Sequence, residues 1–192
     1  MNYKVKPSII TLPYLEVFET DLGNMDTYNV TGDQVWAQDS HEGDDYAAMS
    51  GYDGSSLENE DWLITPAMDF TGLSVVTLKF KEVINFGGDI DNQQEVYVST
   101  DYTGSGDPNN ATWTELNVTE RASGSSWDFV NVYPVDLSDY IGEPKVYVAF
   151  KYVSTTSTAA TWQIDSLHIS ETALPNRAPE IANVTPSLTQ PT

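Results

Sequence analysis

The feature that most constrains this fold is a two-residue alternation of apolar side chains that recurs along the chain. The clearest run is residues 146–153, in which every second side chain is large and apolar. Residues 78–86 have the same period, with Leu78, Phe80, Ile84 and Phe86 in one phase. Because successive strand residues point to opposite faces of a sheet, this period predicts half-buried antiparallel strands.

Eight further runs have the composition of strands, and turn-forming residues separate them. These runs are residues 9–18, 34–38, 46–50, 62–65, 95–100, 112–118, 127–136 and 161–170. One short helical turn is predicted at 137–142, and no amphipathic helix stands out elsewhere. About ten strands in roughly 165 residues predict an all-β fold, a jelly-roll β-sandwich of two antiparallel sheets.

The strand pattern ends near residue 172, and this divides the chain. Residues 1–172 are predicted to form the sandwich domain, because this length allows one sizeable core. The Pro-containing segment 174–179 is typical of a linker, and residues 181–186 are either the first strand of a truncated following domain or a disordered tail. We therefore predict a linker and a truncated second domain at 173–192, in a longer multidomain chain whose secretion signal lies outside this sequence.

Two irregularities interrupt the strand periods. The apolar phase slips by one residue between Ile164 and Leu167, which predicts a β-bulge at Asp165-Ser166. Glu82 falls in the apolar phase of 78–86, where an unpaired carboxylate is costly to bury. We expect Glu82 near a strand end with access to water, the alternative being a buried partner.

Charge excludes several classes of partner. The chain has 29 Asp and Glu against 8 Lys and Arg, and residues 7–78 contain no Lys or Arg at all. Binding to nucleic acid or insertion into an anionic membrane is therefore not expected. The absence of cysteine excludes disulfides and thiolate zinc sites, so oxygen-bound calcium is the expected stabiliser of an extracellular protein.

The residues do not predict an enzyme. The two histidines, His41 and His168, lack a recognisable nucleophile or metal-ligand partner in the sequence. Acidic clusters at 58–61 and 89–91 lack the spacing that places two carboxylates of a glycosidase on one strand face.

Aromatic residues offer candidate ligand contacts. Trp36, Tyr52, Trp113 and Trp127 lie at strand ends or in loops, where a sugar ring could stack on them. The competing interpretation is that these tryptophans belong to the core of the sandwich.

Several segments in a fixed order resemble a known group of domains. They are Val17-Phe18-Glu19, the Glu-Asp-Trp-Leu-Ile-Thr-Pro segment 60–66, and segments 78–80, 96–102, 111–116, 135–138, 146–152 and 162–165. Together they resemble the choice-of-anchor J and cleaved-adhesin domains, a jelly-roll group similar in shape to MAM domains. The resemblance spans roughly residues 15–172.

This resemblance implies a non-catalytic, calcium-binding domain of a secreted or surface-anchored bacterial protein. Carried over to this chain, the calcium ligands are Glu19 and Asp165, with Asp21 and Asp61 as further candidates. Many relatives have a second acid where this chain has Ser166, which reduces the expected ligand set.

The predicted function is an extracellular binding or adhesion module that is stabilised by structural calcium and recognises a glycan or a protein. The alternatives are a carbohydrate-binding, lectin-like module and an architectural spacer attached to a secreted hydrolase.

Overall fold

The computed structural model describes residues 9–175, which form fourteen strands and little helix. The strands are β1 Ile10–Thr11, β2 Tyr14–Glu16, β3 Asp26–Thr31, β4 Ala37–His41, β5 Asp44–Ser50, β6 Asn59–Ile64, β7 Met68–Asp69, β8 Thr77–Asn85, β9 Gln94–Ser99, β10 Thr114–Glu115, β11 Val130–Asn131, β12 Val135–Asp136, β13 Tyr147–Ser154 and β14 Thr161–Ser170. The helix α1 is Ile90–Gln93, and 3-10 turns lie at Pro108–Asn110 and Ser138–Tyr140. Five strands have only two residues, which leaves nine longer strands against the predicted ten.

The longer strands form two antiparallel sheets, as the sequence predicts. The five-stranded sheet has the order β10-β9-β13-β6-β3, and the seven-stranded sheet contains β11-β8-β14-β5-β4, with β12 beside β8 and β2 beside β14. The small additional pair β1–β7 is parallel. The chain crosses between the two sheets, for example from β5 to β6 and from β13 to β14, which gives the all-β jelly-roll sandwich.

The core lies between the two sheets and is rich in aromatic rings. Trp162 of β14 is fully buried and contacts Trp36 with 5.4 Å between ring centroids. Phe150 of β13 contacts Trp162 at 5.8 Å and Phe80 of β8 at 5.1 Å, which joins the two sheets. A smaller cluster around Trp62 covers the other face of the five-stranded sheet. This second cluster explains why β6 is buried on both faces.

The predicted β-bulge is confirmed. The register between β8 and β14 shifts between Asp165 and His168, and Ser166 has a positive φ of 52°. Before the shift, Asp165 lies opposite Lys81, and its carboxylate is 3.5 Å from the Lys81 ammonium. The inserted residue therefore keeps the apolar side chains on both sides of it in the core.

The expectation for Glu82 is wrong. Glu82 is fully buried near the middle of β8 and has no access to water. Its carboxylate accepts from Arg121 Nε at 3.2 Å and Nη2 at 3.1 Å, from the Ala122 backbone amide at 3.0 Å, and from Trp162 Nε1 at 2.9 Å. The alternative, a buried partner, is what the fold supplies.

Several strand predictions differ from the structure. Residues 112–118 and 127–136 are mostly loop, because only β10, β11 and β12 pair there, whereas the polar edge strand β3 was not predicted. Within residues 9–175 no helix has the length and apolar character needed to cross a membrane. Most of the predicted segment 173–192 lies outside the described residues, so its assignment as linker and second domain stays a prediction.

Candidate ligand-binding groove

An open groove runs over the outer face of the seven-stranded sheet, with a volume of about 790 Å³. Its floor includes Tyr46, Ala48 and Ser50 of β5, which alternate with the core residues Ala47 and Met49. The first residues of β14 complete the floor, the β4–β5 hairpin forms one wall, and residues 127–129 form the other. Strand alternation thus presents a row of side chains to solvent while its neighbours hold the core.

Aromatic rings form one side of the groove. Tyr46 is buried against Phe129, with 5.8 Å between the ring centroids. Burial, followed by the charge of Asp39, raises the pKa of the Tyr46 hydroxyl, so this hydroxyl stays protonated and can donate a hydrogen bond. Trp127 is 55% exposed and stands at the groove wall. The indole therefore offers a free apolar face to a ligand.

Polar side chains line the remainder of the groove. Gln163 and Thr161 project from β14, and the Thr161 hydroxyl donates to Ser50 Oγ at 3.3 Å. The rim carries His41 and the carboxylates of Asp39, Glu42, Asp44 and Asp128. Among the described residues that line the groove, none is lysine or arginine. The groove is therefore rich in hydrogen-bond acceptors and unfavourable to anions.

The four predicted ligand-contacting aromatics do not come together. Trp127 lies at the groove, whereas Tyr52 is 59% exposed in the loop after β5 and is not part of the groove lining. Trp113 lies against Trp62 on the five-stranded sheet and donates from Nε1 to the Pro108 carbonyl at 2.9 Å. The prediction for Trp36 needs correction: it is only 3% exposed because it packs on Trp162 in the core.

The predicted calcium ligands are spread over both sheets and a loop. Glu19 and Asp21 are exposed between β2 and β3, where Asp21 Oδ1 accepts from the Gly23 amide at 2.7 Å. Asp165 is engaged by Lys81 and by the Ser166 hydroxyl. In residues 9–175 no group of three or more Asp, Glu or His side chains is placed to hold a metal ion. The assignment of Glu19, Asp21, Asp61 and Asp165 as calcium ligands therefore stays a prediction.

Asp61 lies in a different environment from the other candidate ligands. It is buried in β6 of the five-stranded sheet, between Asn29 of β3 and Tyr152 of β13. Its Oδ2 atom has no hydrogen-bond partner in the described part of the chain. Burial, and to a lesser degree the charge of Glu60, raises the pKa of Asp61 to about 7. Its carboxyl group therefore titrates near neutrality without contact to the groove.

The sequence did not single out Phe129 or Gln163 at this site. For Gln163 a signal existed, because strand alternation places it opposite Trp162 and Ile164, on the face away from the core. For Phe129 no local pattern exists, because its environment depends on how a loop meets the sheet. The placement of Phe86 needs correction: alternation put it in the apolar phase of residues 78–86, but β8 ends at Asn85 and Phe86 is 68% exposed.

The comparisons with known proteins identify a family and a fold. A family model described as a domain of unknown function, DUF5017, matches residues 67–188. No curated protein matches the chain.

Three solved structures have the same fold. The K2 cleaved adhesin domain of Lys-gingipain superposes with a TM-score of 0.59 at 21% identity, over 83% of this chain and 99% of that one. The K1 cleaved adhesin domain of Lys-gingipain from Porphyromonas gingivalis W83 has a TM-score of 0.58 at 18% identity, over 84% and 99%.

The third is the family 30 carbohydrate-binding module of a cellulosomal cellulase of Clostridium thermocellum, with a TM-score of 0.50 at 11% identity, over 83% and 97% of the two chains. The predicted resemblance to cleaved-adhesin domains is confirmed as a likeness of fold, and the choice-of-anchor J assignment stays a prediction.

Proposed function

Because the chain belongs to the DUF5017 family, whose description assigns no activity, we propose a function from the groove itself: a non-catalytic module that binds an extracellular glycan. The observation that carries this proposal is the exposed Trp127 beside a floor of hydrogen-bonding side chains. A sugar ring has an apolar face and a rim of hydroxyls, so it is complementary to an indole flanked by polar groups. The fold neighbours, which are named as adhesin domains and as a carbohydrate-binding module, are consistent with this function.

The charges of the groove favour an uncharged glycan. Sugar hydroxyls can donate to the carboxylates of Asp39 and Asp44, and the side-chain amide of Gln163 can both donate and accept. A uronate, sialate or sulfate group would face four carboxylates without a lysine or arginine in the described lining. Since like charges repel, acidic glycans are expected to bind more weakly than neutral ones.

A protein ligand is the second candidate, and the same carboxylates favour it. Asp39, Glu42, Asp44 and Asp128 would attract a Lys- or Arg-bearing surface, and such binding would weaken with salt. Binding to a neutral glycan through stacking and hydrogen bonds would depend little on ionic strength. Salt dependence therefore separates the two candidates.

The absence of catalysis is part of the proposal. A glycosidase acid needs a raised pKa in a cleft; burial raises the pKa of Asp61, but this residue lies inside the fold. The open groove on the other sheet does not contain it. This separation supports binding without bond cleavage.

The decisive experiment compares Trp127→Ala with Tyr52→Ala. Both replace an exposed aromatic ring, but only Trp127 lines the groove. Isothermal titration with neutral oligosaccharides should give an affinity loss of about fivefold to a hundredfold for Trp127→Ala, since a stacked aromatic contributes roughly 1–3 kcal/mol. Tyr52→Ala should bind as the unaltered chain does. Equal affinity of both variants would contradict the assignment of the groove as the binding site. If the chain binds no glycan and no basic protein, an architectural spacer is favoured.

Structural calcium is a separate proposal. The predicted ligands are Glu19, Asp21, Asp61 and Asp165, and each of them could contribute an oxygen to a different site. Calcium requires six to eight oxygens, so backbone carbonyls and water would have to supply most of the shell. The melting temperature in millimolar calcium should exceed that in EDTA if the ion contributes to stability. Identical melting temperatures would rule out structural calcium.

We also propose that the domain is located outside the cell, within a longer multidomain chain.

A further inference from the structure

We infer that Phe86 is a second ligand-contacting residue, which extends the groove into an aromatic ledge made of Phe86 and Trp127. This inference rests on the proposed function and assigns a residue that the groove lining itself does not include. The ledge would hold the apolar face of a sugar ring next to the one that occupies the groove.

Both rings of the ledge are exposed and touch each other. Phe86 is 68% exposed, and its ring stands at 79° to that of Trp127, with 5.9 Å between the centroids. Trp127 also lines the groove, so the ledge adjoins the groove at this residue. Two large aromatic rings side by side in water lose the stabilisation that burial would provide, which marks the patch as a contact surface.

The backbone at Phe86 is strained in a way that presents the ring. Phe86 directly follows β8 and has a φ of 56°, in the left-handed region that bulky residues rarely adopt. The Asn85 side chain stabilises this turn, because its Oδ1 accepts from the Phe86 amide at 2.8 Å. Glycine would adopt the same backbone without strain, so the aromatic ring is not there to make the turn.

The two loops that carry the ledge are fixed to each other. The Gly87 amide donates to the Gly124 carbonyl at 2.8 Å, and a Cβ on Gly87 would lie only 2.9 Å from Gly124 Cα. Such a close backbone approach requires glycine. The contact holds Phe86, one residue before Gly87, beside Trp127, three residues after Gly124.

A buried ion pair fixes the same loop to the sheet. Glu82 of β8 binds Arg121 and the Ala122 amide, and the Arg121 guanidinium lies 5.7 Å from the Trp162 ring centroid. The loop from Arg121 to β11 is therefore held at three points: at Arg121, at Gly124, and at β11, where Val130 pairs with Glu82. A ledge held in place before binding loses little conformational entropy when the ligand arrives.

Charge decides which occupant suits the ledge. A second copy of this chain, with a net charge of −21, would bring its own carboxylates to a rim that already contains four. An anionic membrane surface is disfavoured for the same reason. The phenyl ring of Phe86 has no hydrogen-bonding group, so the occupant that fits is the C–H face of an uncharged sugar ring.

The test is Phe86→Gly, which removes the ring and relieves the backbone strain at once. The melting temperature of this variant should be unchanged or higher. Hexasaccharides of glucose, xylose and mannose are the neutral probes, and the affinity for whichever of them the unaltered chain binds should fall about five- to tenfold. Leu15→Ala is the matched control, since Leu15 is another exposed apolar side chain that does not line the groove.

The outcomes separate the ledge from the groove. If Trp127→Ala weakens binding but Phe86→Gly does not, Phe86 does not contact the ligand, and the groove remains the proposed binding site. If the unaltered chain binds none of the neutral oligosaccharides, both are wrong. If sedimentation reveals a dimer that Phe86→Gly dissociates, the ledge is an interface between copies, and the glycan assignment is overturned.

Discussion

Replacing Glu82 by glutamine should destabilise the domain more than any surface substitution. One carboxylate oxygen of Glu82 accepts from Arg121 Nε and the Ala122 amide, and the other accepts from Arg121 Nη2 and Trp162 Nε1. The amide nitrogen of glutamine must occupy one of these two positions. There it would face two donors and could accept from neither.

The magnitude follows from the burial of Arg121. Its side chain is 12% exposed, and Glu82→Gln would leave this cation unpaired inside the fold. Removing one partner of a buried ion pair costs about 3–5 kcal/mol, more than the hydrogen bonds alone. For a domain of this size that corresponds to a fall in melting temperature of roughly 6–20 °C.

Urea unfolding followed by tryptophan fluorescence measures this loss. A cycle of Glu82→Gln, Arg121→Met and the double variant should be strongly non-additive, because each single change leaves the other group unsatisfied. Glu42→Gln is the control, since that side chain is 86% exposed, and it should change stability by less than about 0.5 kcal/mol. A loss below about 1 kcal/mol for Glu82→Gln, or additive effects in the cycle, would refute a buried ion pair.

Three further predictions concern the core and the loops. Without a bound metal, ionisation of Asp61 opposes folding, because the pKa of its carboxyl group is about 7 when folded and 3.8 in the ordinary state. Stability should therefore fall as pH rises from about 4 to 7, by up to about 1.4 kcal/mol per pH unit, and Asp61→Asn should remove this slope in chemical denaturation. If Asp61→Asn instead lowers stability only when calcium is present, Asp61 is a metal ligand. Gly87→Ala should separate the two loops, because its Cβ would lie 2.9 Å from Gly124 Cα. Iodide should then quench the fluorescence of Trp127 more strongly. The contribution of Trp127 is obtained by subtracting the fluorescence of a Trp127→Phe control. Tyr152→Phe should cost about 1–3 kcal/mol in urea unfolding, since the buried hydroxyl accepts from one backbone amide and donates to one carbonyl; an unchanged midpoint would mean that water reaches these groups.

The sequence predicted the features that depend on neighbouring residues. Alternation in 146–153 predicted β13, and the phase slip after Ile164 predicted the bulge, because both reflect which face of one strand meets the core. The same reasoning from local residue patterns predicted more strand than the structure contains at 112–118 and 127–136. Apolar residues there pack as loops that cover the edges of the sheets, and only a few of them pair.

The candidate site could be predicted only in part. Trp127 was among the four candidate aromatics, but no local pattern distinguished it from Trp36, which the fold places in the core. Both residues have mixed neighbours in the sequence. Their opposite environments arise because Trp36 contacts Trp162, more than a hundred residues away, in the core, while Trp127 contacts Phe86 at the surface.

Sequence alone determined the all-β class, the antiparallel pairing and the acidity that disfavours anionic partners. Tertiary structure decided which carboxylates are solvated, which is paired and which is buried alone: Glu42 at the surface, Glu82 with Arg121, and Asp61 in the core. The physical reason is that periodicity is a property of one strand, whereas the partner of a buried charge is a property of the packing. Glu82 and Arg121 are 39 residues apart, and only the closed sandwich brings them within 3.1 Å.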